Sequence, residues 1–199
     1  MSSGDPKTRT RILEATLRLM EDRGGQGVRM RDVADVAGVS RQAVYDHFGS
    51  RAELMVATAR HGDEVRGLEE RLVRYRAANG GVERLEAFIE FWGNYVPEIH
   101  GIARALFAAR ESDAAVAAAW DDRMRVVQEA CRDIVRRLQG DGMLASGWSL
   151  EEAGDLLWTM LSIGNWENLT IERGWPVSLY VERMQMLSKR VFVREQKRA

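Results

Sequence analysis

Apolar residues recur at intervals of three and four along most of this chain, the spacing that gathers side chains on one face of an α-helix. In the first segment Ile12, Ala15 and Leu19 alternate with Leu13, Leu17 and Met20. Asp5-Pro6 opens it with a side-chain acceptor and a proline whose missing N–H costs nothing there, and Gly24-Gly25 closes it. A short helix is expected over Met30 to Ala37, with Val33, Val36 and Ala37 inward and Gly38 at its end. Ser40 caps a third helix that runs through Phe48 to Gly49, and Ser50-Arg51-Ala52-Glu53 is a capping box that opens a fourth. Beyond Arg51 no strand-like alternation occurs. Residues 81–96 carry Val82, Leu85, Ile89, Trp92 and Val96 as a stripe, which Pro97 interrupts before a further helical run to about Arg110. Residues 113–139 place Val116, Trp120, Met124, Val127, Cys131, Ile134 and Leu138 on one face. A loop at Gly140, Gly142 and Gly147 leads to a second capping box, Ser149 to Glu152, and a helix reaching about Glu172. After Gly174-Trp175-Pro176 a last helix carries Val177, Tyr180, Val181, Met184, Leu187 and Val191. About nine helices define an all-α protein without internal repeats.

Composition narrows the class. The chain has 199 residues, 45% hydrophobic and 30% charged, which is the make-up of a globular protein with a sizeable core. A single cysteine, Cys131, excludes an internal disulfide framework and a cysteine-based zinc site. The N-terminal MSSGDPKTRTR has no apolar core of the signal-peptide kind, and the longest charge-free apolar stretch, Leu156 to Trp166, is 11 residues, too short to span a bilayer. A cytoplasmic protein without membrane contact is expected. His47, His61 and His100 are not spaced as a metal triad, and capping explains Glu151-Glu152, so neither catalysis nor a cofactor is expected. His100, beside Pro97-Glu98, reads as a surface residue at a helix end. The formal net charge is -1, but it averages unequal parts. Residues 1–60 carry 10 Lys+Arg against 8 Asp+Glu, and residues 61–199 carry 19 against 22. Near-neutrality therefore excludes only nucleic-acid binding that relies on bulk charge.

The second and third helices are joined by Gly38-Val39-Ser40, a helix-turn-helix pattern that by itself fits either an ordinary helical corner or a DNA-reading element. The surrounding residues carry more information. Ile12-Leu13 with Ala15, Gly24, Asp32-Val33-Ala34, Ala37-Gly38-Val39-Ser40, Val44-Tyr45-x-His47-Phe48 and Ser50-Arg51-x-x-Leu54 occur together within the first quarter of the chain. In these elements the sequence resembles the TetR family of bacterial transcriptional regulators. The resemblance implies an N-terminal three-helix helix-turn-helix head, assigned to residues 1–52. It also implies a larger helical-bundle domain for ligand binding and dimerisation, assigned to residues 53–199. Two positions depart from the family pattern. Arg29 stands where a threonine usually caps the second helix, and arginine cannot accept a cap bond although it can reach phosphate. Arg51 replaces the usual lysine and keeps the charge.

In such a motif the second helix enters the major groove with its N-terminal residues at the base edges. At 100° per residue Val44 and Phe48 share the packing face, Gln42, Ala43, Asp46 and His47 point away, and Arg41 and Tyr45 flank them. Arg41 suits guanine O6 and N7, Gln42 suits adenine N6 and N7, and Ala43 lets the helix approach a thymine methyl. Asp46 either accepts from cytosine N4 or faces solvent. The resemblance assigns Tyr45 and His47 to DNA contacts and Arg51 to a phosphate. Ser40, as the cap, and Arg29 complete the candidate set.

For the larger domain the resemblance implies a homodimer through the last two long helices and an inducer pocket among the middle ones. Candidate effector contacts are Trp92, Tyr95, Phe107, Trp120, Met124, Gln128, Trp158 and Asn165; the alternative for each aromatic is plain core. Candidate dimer contacts are Trp166, Leu169, Leu179 and Met186, with Phe192 also off the main stripe. The function expected is a ligand-responsive repressor on a palindromic operator in double-stranded DNA. The competing reading is a helical ligand-binding or protein-interaction module without sequence-specific DNA binding.

Overall fold

The computed structural model describes residues 5–23 and 28–195, so the expected stop at Gly24-Gly25 lies outside the described residues. Two packing units are present: one comprises the described residues up to Leu68 with Ile99–Arg123, the other Glu69–Glu98 with residues 124–195.

The first unit contains α1 (Pro6–Asp22), α2 (Met30–Ala37), α3 (Arg41–His47) and α4 (Arg51–Val65). Asp5 caps α1 by accepting from the Lys7 N–H at 3.1 Å. Ile12, Leu13, Ala15, Leu19 and Met20 of α1 are buried, and α1 packs against α2 and α4. The same core takes in Ile102, Ala105, Leu106 and Ala109 from the end of α7 (Gly81–Ala109) and Val116 from the start of α8 (Ala114–Gly140). Gly101 permits the contact between α7 and α1, because a Cβ there would lie 2.7 Å from Glu21 Cα. The domain division expected at residue 52 follows the motif. Packing follows the core instead and keeps all of α4 with the first three helices.

In α2 the buried stripe is Met30, Val33, Ala34 and Ala37, and Val36 is 51% exposed. Those four lie close together at 100° per residue, whereas Val36 falls about 110° from their centre. Its expected inward position is therefore corrected.

The short helices α5 (Leu68–Arg71) and α6 (Val73–Ala77), which the periodicity did not mark out, bury no residue. From this segment Arg71 donates bidentately to Glu98 at 2.8 and 3.0 Å, Arg74 pairs with Glu90, and Tyr75 packs on Phe88. The core of the second unit gathers Leu85, Ile89, Trp92, Val96, Cys131, Ile134, Leu138, Leu157, Tyr180 and Phe192. Burial pushes the Cys131 thiol up to about 12, so this cysteine is an apolar packing residue at neutral pH.

Four expectations are corrected in this unit and along α7. Helix α7 runs unbroken through Pro97. Proline removes one N–H, but buried residues on both flanks, among them Trp92, Val96, Ile102 and Leu106, hold the helix together across it. His100 is therefore half-buried within a helix and does not stand at its end. Conversely, the helix expected from Ser149 to Glu172 is divided into α9 (Leu150–Met160), α10 (Ile163–Glu167) and a π turn over Asn168–Glu172. Ser149 and Glu152 form the expected capping box at its start. At the division Ser162 recaps the chain by accepting from Asn165 N at 3.3 Å, the Trp92 indole donates to Leu161 O at 2.7 Å, and Asn165 Nδ2 donates to Thr159 O at 2.7 Å. In α11 (Val177–Phe192) the buried row is Tyr180, Met184, Ser188 and Phe192. A row of four-residue steps winds around a helix axis. The inward side has thus moved to Phe192 by the last turn, and Leu187 is left 42% exposed. An isolated antiparallel bridge, Leu144 with Val193, ties the loop before α9 to the end of α11.

Trp92→Phe leaves the Leu161 carbonyl buried without its donor. Its expected cost is about 1–3 kcal/mol of unfolding free energy in urea titration; unchanged stability would contradict the role given to this bond.

Candidate nucleic-acid interface

The turn between α2 and α3 is built from backbone demands. Gly38 adopts φ +63°, a left-handed conformation that glycine takes at least cost, and a Cβ there would lie 3.3 Å from an Arg11 terminal nitrogen. That arginine, Nη2 of Arg11 on α1, donates to Ala37 O at 2.6 Å and to Gly38 O at 3.3 Å. Ser40 Oγ then caps α3 by accepting from Ala43 N at 3.0 Å. Val44 and Phe48 are fully buried beneath α3. The Arg9 guanidinium lies 5.0 Å from the Phe48 ring centroid. At the next turn Ser50 caps α4 as expected, accepting from Glu53 N at 3.1 Å. The Glu53 carboxylate departs from a capping box by accepting from Gly49 N at 3.0 Å.

With the packing face fixed, the outward face of α3 carries the expected residues. Arg41 and Gln42 are exposed, Ala43 is half-buried, Tyr45 is 36% exposed and His47 is half-buried beside Phe48. Each polar reading candidate is engaged one turn further along. Arg41 Nη2 is 3.5 Å from the Tyr45 hydroxyl with its guanidinium 5.5 Å from the ring centroid, and Gln42 Nε2 donates to Asp46 Oδ1 at 2.9 Å. Arg51 Nε donates to Val28 O at 2.8 Å, which aims the guanidinium from the first turn of α4. Arg29 sits at the N-cap of α2 without a side-chain cap bond, as its chemistry requires.

Arg29, Arg41, Tyr45 and Arg51 meet in one open cleft with Arg23, Arg31, Val28, Met30, Asp22 and Asp32. Five arginines against two aspartates make this cleft cationic within a chain of net charge -1. Asp32 pairs with Arg23, and that hydrogen bond holds its carboxyl below the usual carboxylate range. Arg11, Arg23 and Arg31 were missed by sequence reasoning. Arg11 lies on α1 and Arg23 caps its C-terminal end, both outside the helix-turn-helix, and no local pattern links them to it.

The other candidates divide between the units. In the first, Phe107 and Trp120 form an edge-to-face pair at 5.2 Å, with Phe107 46% exposed under the Arg110 guanidinium. In the second, Trp92 and Asn165 hold the carbonyls at the break after α9, Tyr95 is buried and stacks on Phe91, and Gln128 lies 3.4 Å from Asp155. Met124 and Trp158 are half-buried there. Leu169, Leu179 and Met186 are half-buried, whereas Trp166 is 5% exposed inside the protomer's core. Tyr180 Oη and Ser188 Oγ are buried in this unit with no hydrogen-bond partner among the described residues. Among those residues no group of three His, Cys, Asp or Glu is placed to hold a metal, and no helix is long and apolar enough to cross a membrane.

A capped helix with an exposed polar face, set on a second helix by a tight turn and flanked by arginines, defines a helix-turn-helix DNA-binding protein. The family profile described as "Bacterial regulatory proteins, tetR family" matches residues 12–58. Over 163 residues the chain is 26% identical to the HTH-type transcriptional repressor AcnR of Corynebacterium glutamicum, covering 81% of this chain and 82% of that one. Over 129 residues it is 32% identical to the HTH-type transcriptional activator FasR of Mycolicibacterium smegmatis, covering 64% and 56%. In fold it is similar to a putative transcriptional regulator from Saccharomonospora viridis solved in complex with choline, with a TM-score of 0.81, 18% identity and coverage of 96% and 100%. Over this head the chain is similar to the tetR family of bacterial regulatory proteins, and it is a transcriptional regulator whose partner is double-stranded DNA.

Arg41→Ala is expected to cost about 1–3 kcal/mol on a preferred site and to relax preference at one base pair, whereas Arg51→Ala weakens all sequences alike. Gel shifts on preferred and scrambled duplexes at fixed salt check this; equal losses on both duplexes for Arg41→Ala would remove its base-reading role.

Proposed function

We propose that the protein is a homodimeric, effector-released repressor that binds a palindromic operator in the bacterial cytoplasm and acts by binding, not catalysis. The observation that carries this reading is the outward face of α3, where a capped, braced backbone leaves Arg41 and Gln42 exposed side by side. One seven-residue helix offers few base contacts, and near-neutral charge adds little bulk attraction, so selectivity calls for two heads. Isologous pairing through Leu169, Leu179 and Met186 supplies the second, with Trp166 supporting this face from beneath. Exposed apolar side chains nearby in sequence, Ile171 at 56% and Leu187 at 42%, support an apolar seam. Repression is the activity named for the relative AcnR, which aligns along most of both chains.

The effector site is assigned to the second unit's candidates Trp92, Tyr95, Met124, Gln128, Trp158 and Asn165; the candidates Phe107 and Trp120 pair with each other in the first unit. Support for a polar effector comes from Tyr180 and Ser188, whose buried hydroxyls call for a partner. Occupancy shifts the population between two dimer geometries, only one of which fits the operator.

Transcription in a purified system from the promoter upstream of this chain's own gene is the test. Added protein is expected to reduce transcript, and compounds that raise its melting temperature are expected to restore it. Transcript that never responds to the protein would contradict repression, and stabilising compounds that leave it repressed would contradict release.

A further inference from the structure

Asp46 is an exposed carboxylate on the face of α3 that meets DNA, where phosphate charge disfavours it. Its contact gives it a purpose. Asp46 Oδ1 accepts from Gln42 Nε2 at 2.9 Å, one helical turn away on the same face. We propose that Asp46 is a positioning residue for base reading, fixing the Gln42 amide so that it offers one donor and one acceptor to an adenine edge. The inference rests on the assignment of α3 as the DNA-reading helix.

The chemistry of the two groups supplies the argument. A free glutamine amide can turn over, exchanging its donor and acceptor edges, and either orientation meets a base edge. An ionised carboxylate only accepts, so the nitrogen edge of Gln42 must face Asp46. That contact uses one N–H and leaves the Oε1 lone pairs and the second N–H available. This donor–acceptor pair complements adenine N7 and N6 in the major groove. Holding the amide before DNA arrives also reduces the ordering cost on binding. Arg41 is supported in the same way by Tyr45 one turn on, so both reading side chains are braced from within the helix. Asp46 therefore weakens attraction to all DNA while sharpening the choice of one base.

Those two effects have opposite signs, which makes the inference testable. The full-length chain and its variants are used to select sites from a randomised duplex library, and selected and arbitrary duplexes are then titrated at fixed salt. Asp46→Asn removes one negative charge and restores an amide that can donate or accept. Affinity for arbitrary duplex is expected to rise about two- to fivefold at about 0.1 M salt. Preference for adenine at the base pair read by Gln42 is expected to fall about tenfold. Asp46→Glu keeps the charge and part of the preference, without the gain in general affinity. In a Gln42→Ala background Asp46→Asn changes no base preference. A variant Asp46→Asn that selects the same site with the same discrimination as the wild type would overturn the positioning role while leaving DNA reading intact. A wild-type chain that selects no site would overturn the DNA-reading assignment and this inference with it.

Discussion

The placement of α3 depends on one contact, the Arg11 guanidinium against the last carbonyls of α2 and its turn. The end of a helix leaves carbonyls without intrahelical donors. Here a side chain from α1 reaches the oxygens of Ala37 and Gly38, at 2.6 and 3.3 Å. The left-handed Gly38 lets the chain turn immediately afterwards and leaves room for the guanidinium. Ser40 can then cap α3, and the burial of Val44 and Phe48 fixes its rotation. Rotation is the property that matters for function. It decides whether Arg41, Gln42 and Asp46 face a groove or the core.

Electrostatics follow from that placement. The chain is close to neutral, yet arginines from α2, α3, α4, the end of α1 and the loop before α2 meet in one cleft, partly offset by Asp22 and Asp32. A local concentration of cationic groups favours phosphate, and a near-neutral whole limits attraction to arbitrary sequence. The ion pair between Arg23 and Asp32 and the contact between Gln42 and Asp46 are the same economy at single-residue scale, with acidic groups organising a cationic surface.

Local devices were the legible part of the sequence. Asp5-Pro6, Ser40 and the box from Ser149 to Glu152 act on backbone within three residues, and each forms the cap its spacing announces. Long-range packing was less legible. Pro97 signals a break, but apolar burial on both flanks outweighs one missing hydrogen bond. The break at Leu161 and Ser162 has no proline or glycine, and it is stabilised by Trp92, which lies 69 positions away in sequence. Val36 and Phe192 depart from the expected pattern because angular position along a short or winding stripe, more than hydrophobicity, decides which side chain is buried. In the candidate site the residues of α3 could be named from spacing. Arg11 could not, because nothing in its own segment indicates the carbonyls it reaches.

Methylation interference on a selected duplex reports which groove α3 enters. Dimethyl sulfate modifies guanine N7 in the major groove and adenine N3 in the minor groove. A pair of major-groove reading helices requires loss of binding when guanine N7 is methylated in two clusters, with centres about one helical turn, roughly 10 base pairs, apart or a multiple of that spacing. Interference confined to adenine N3, or to no position, would contradict a major-groove reading helix.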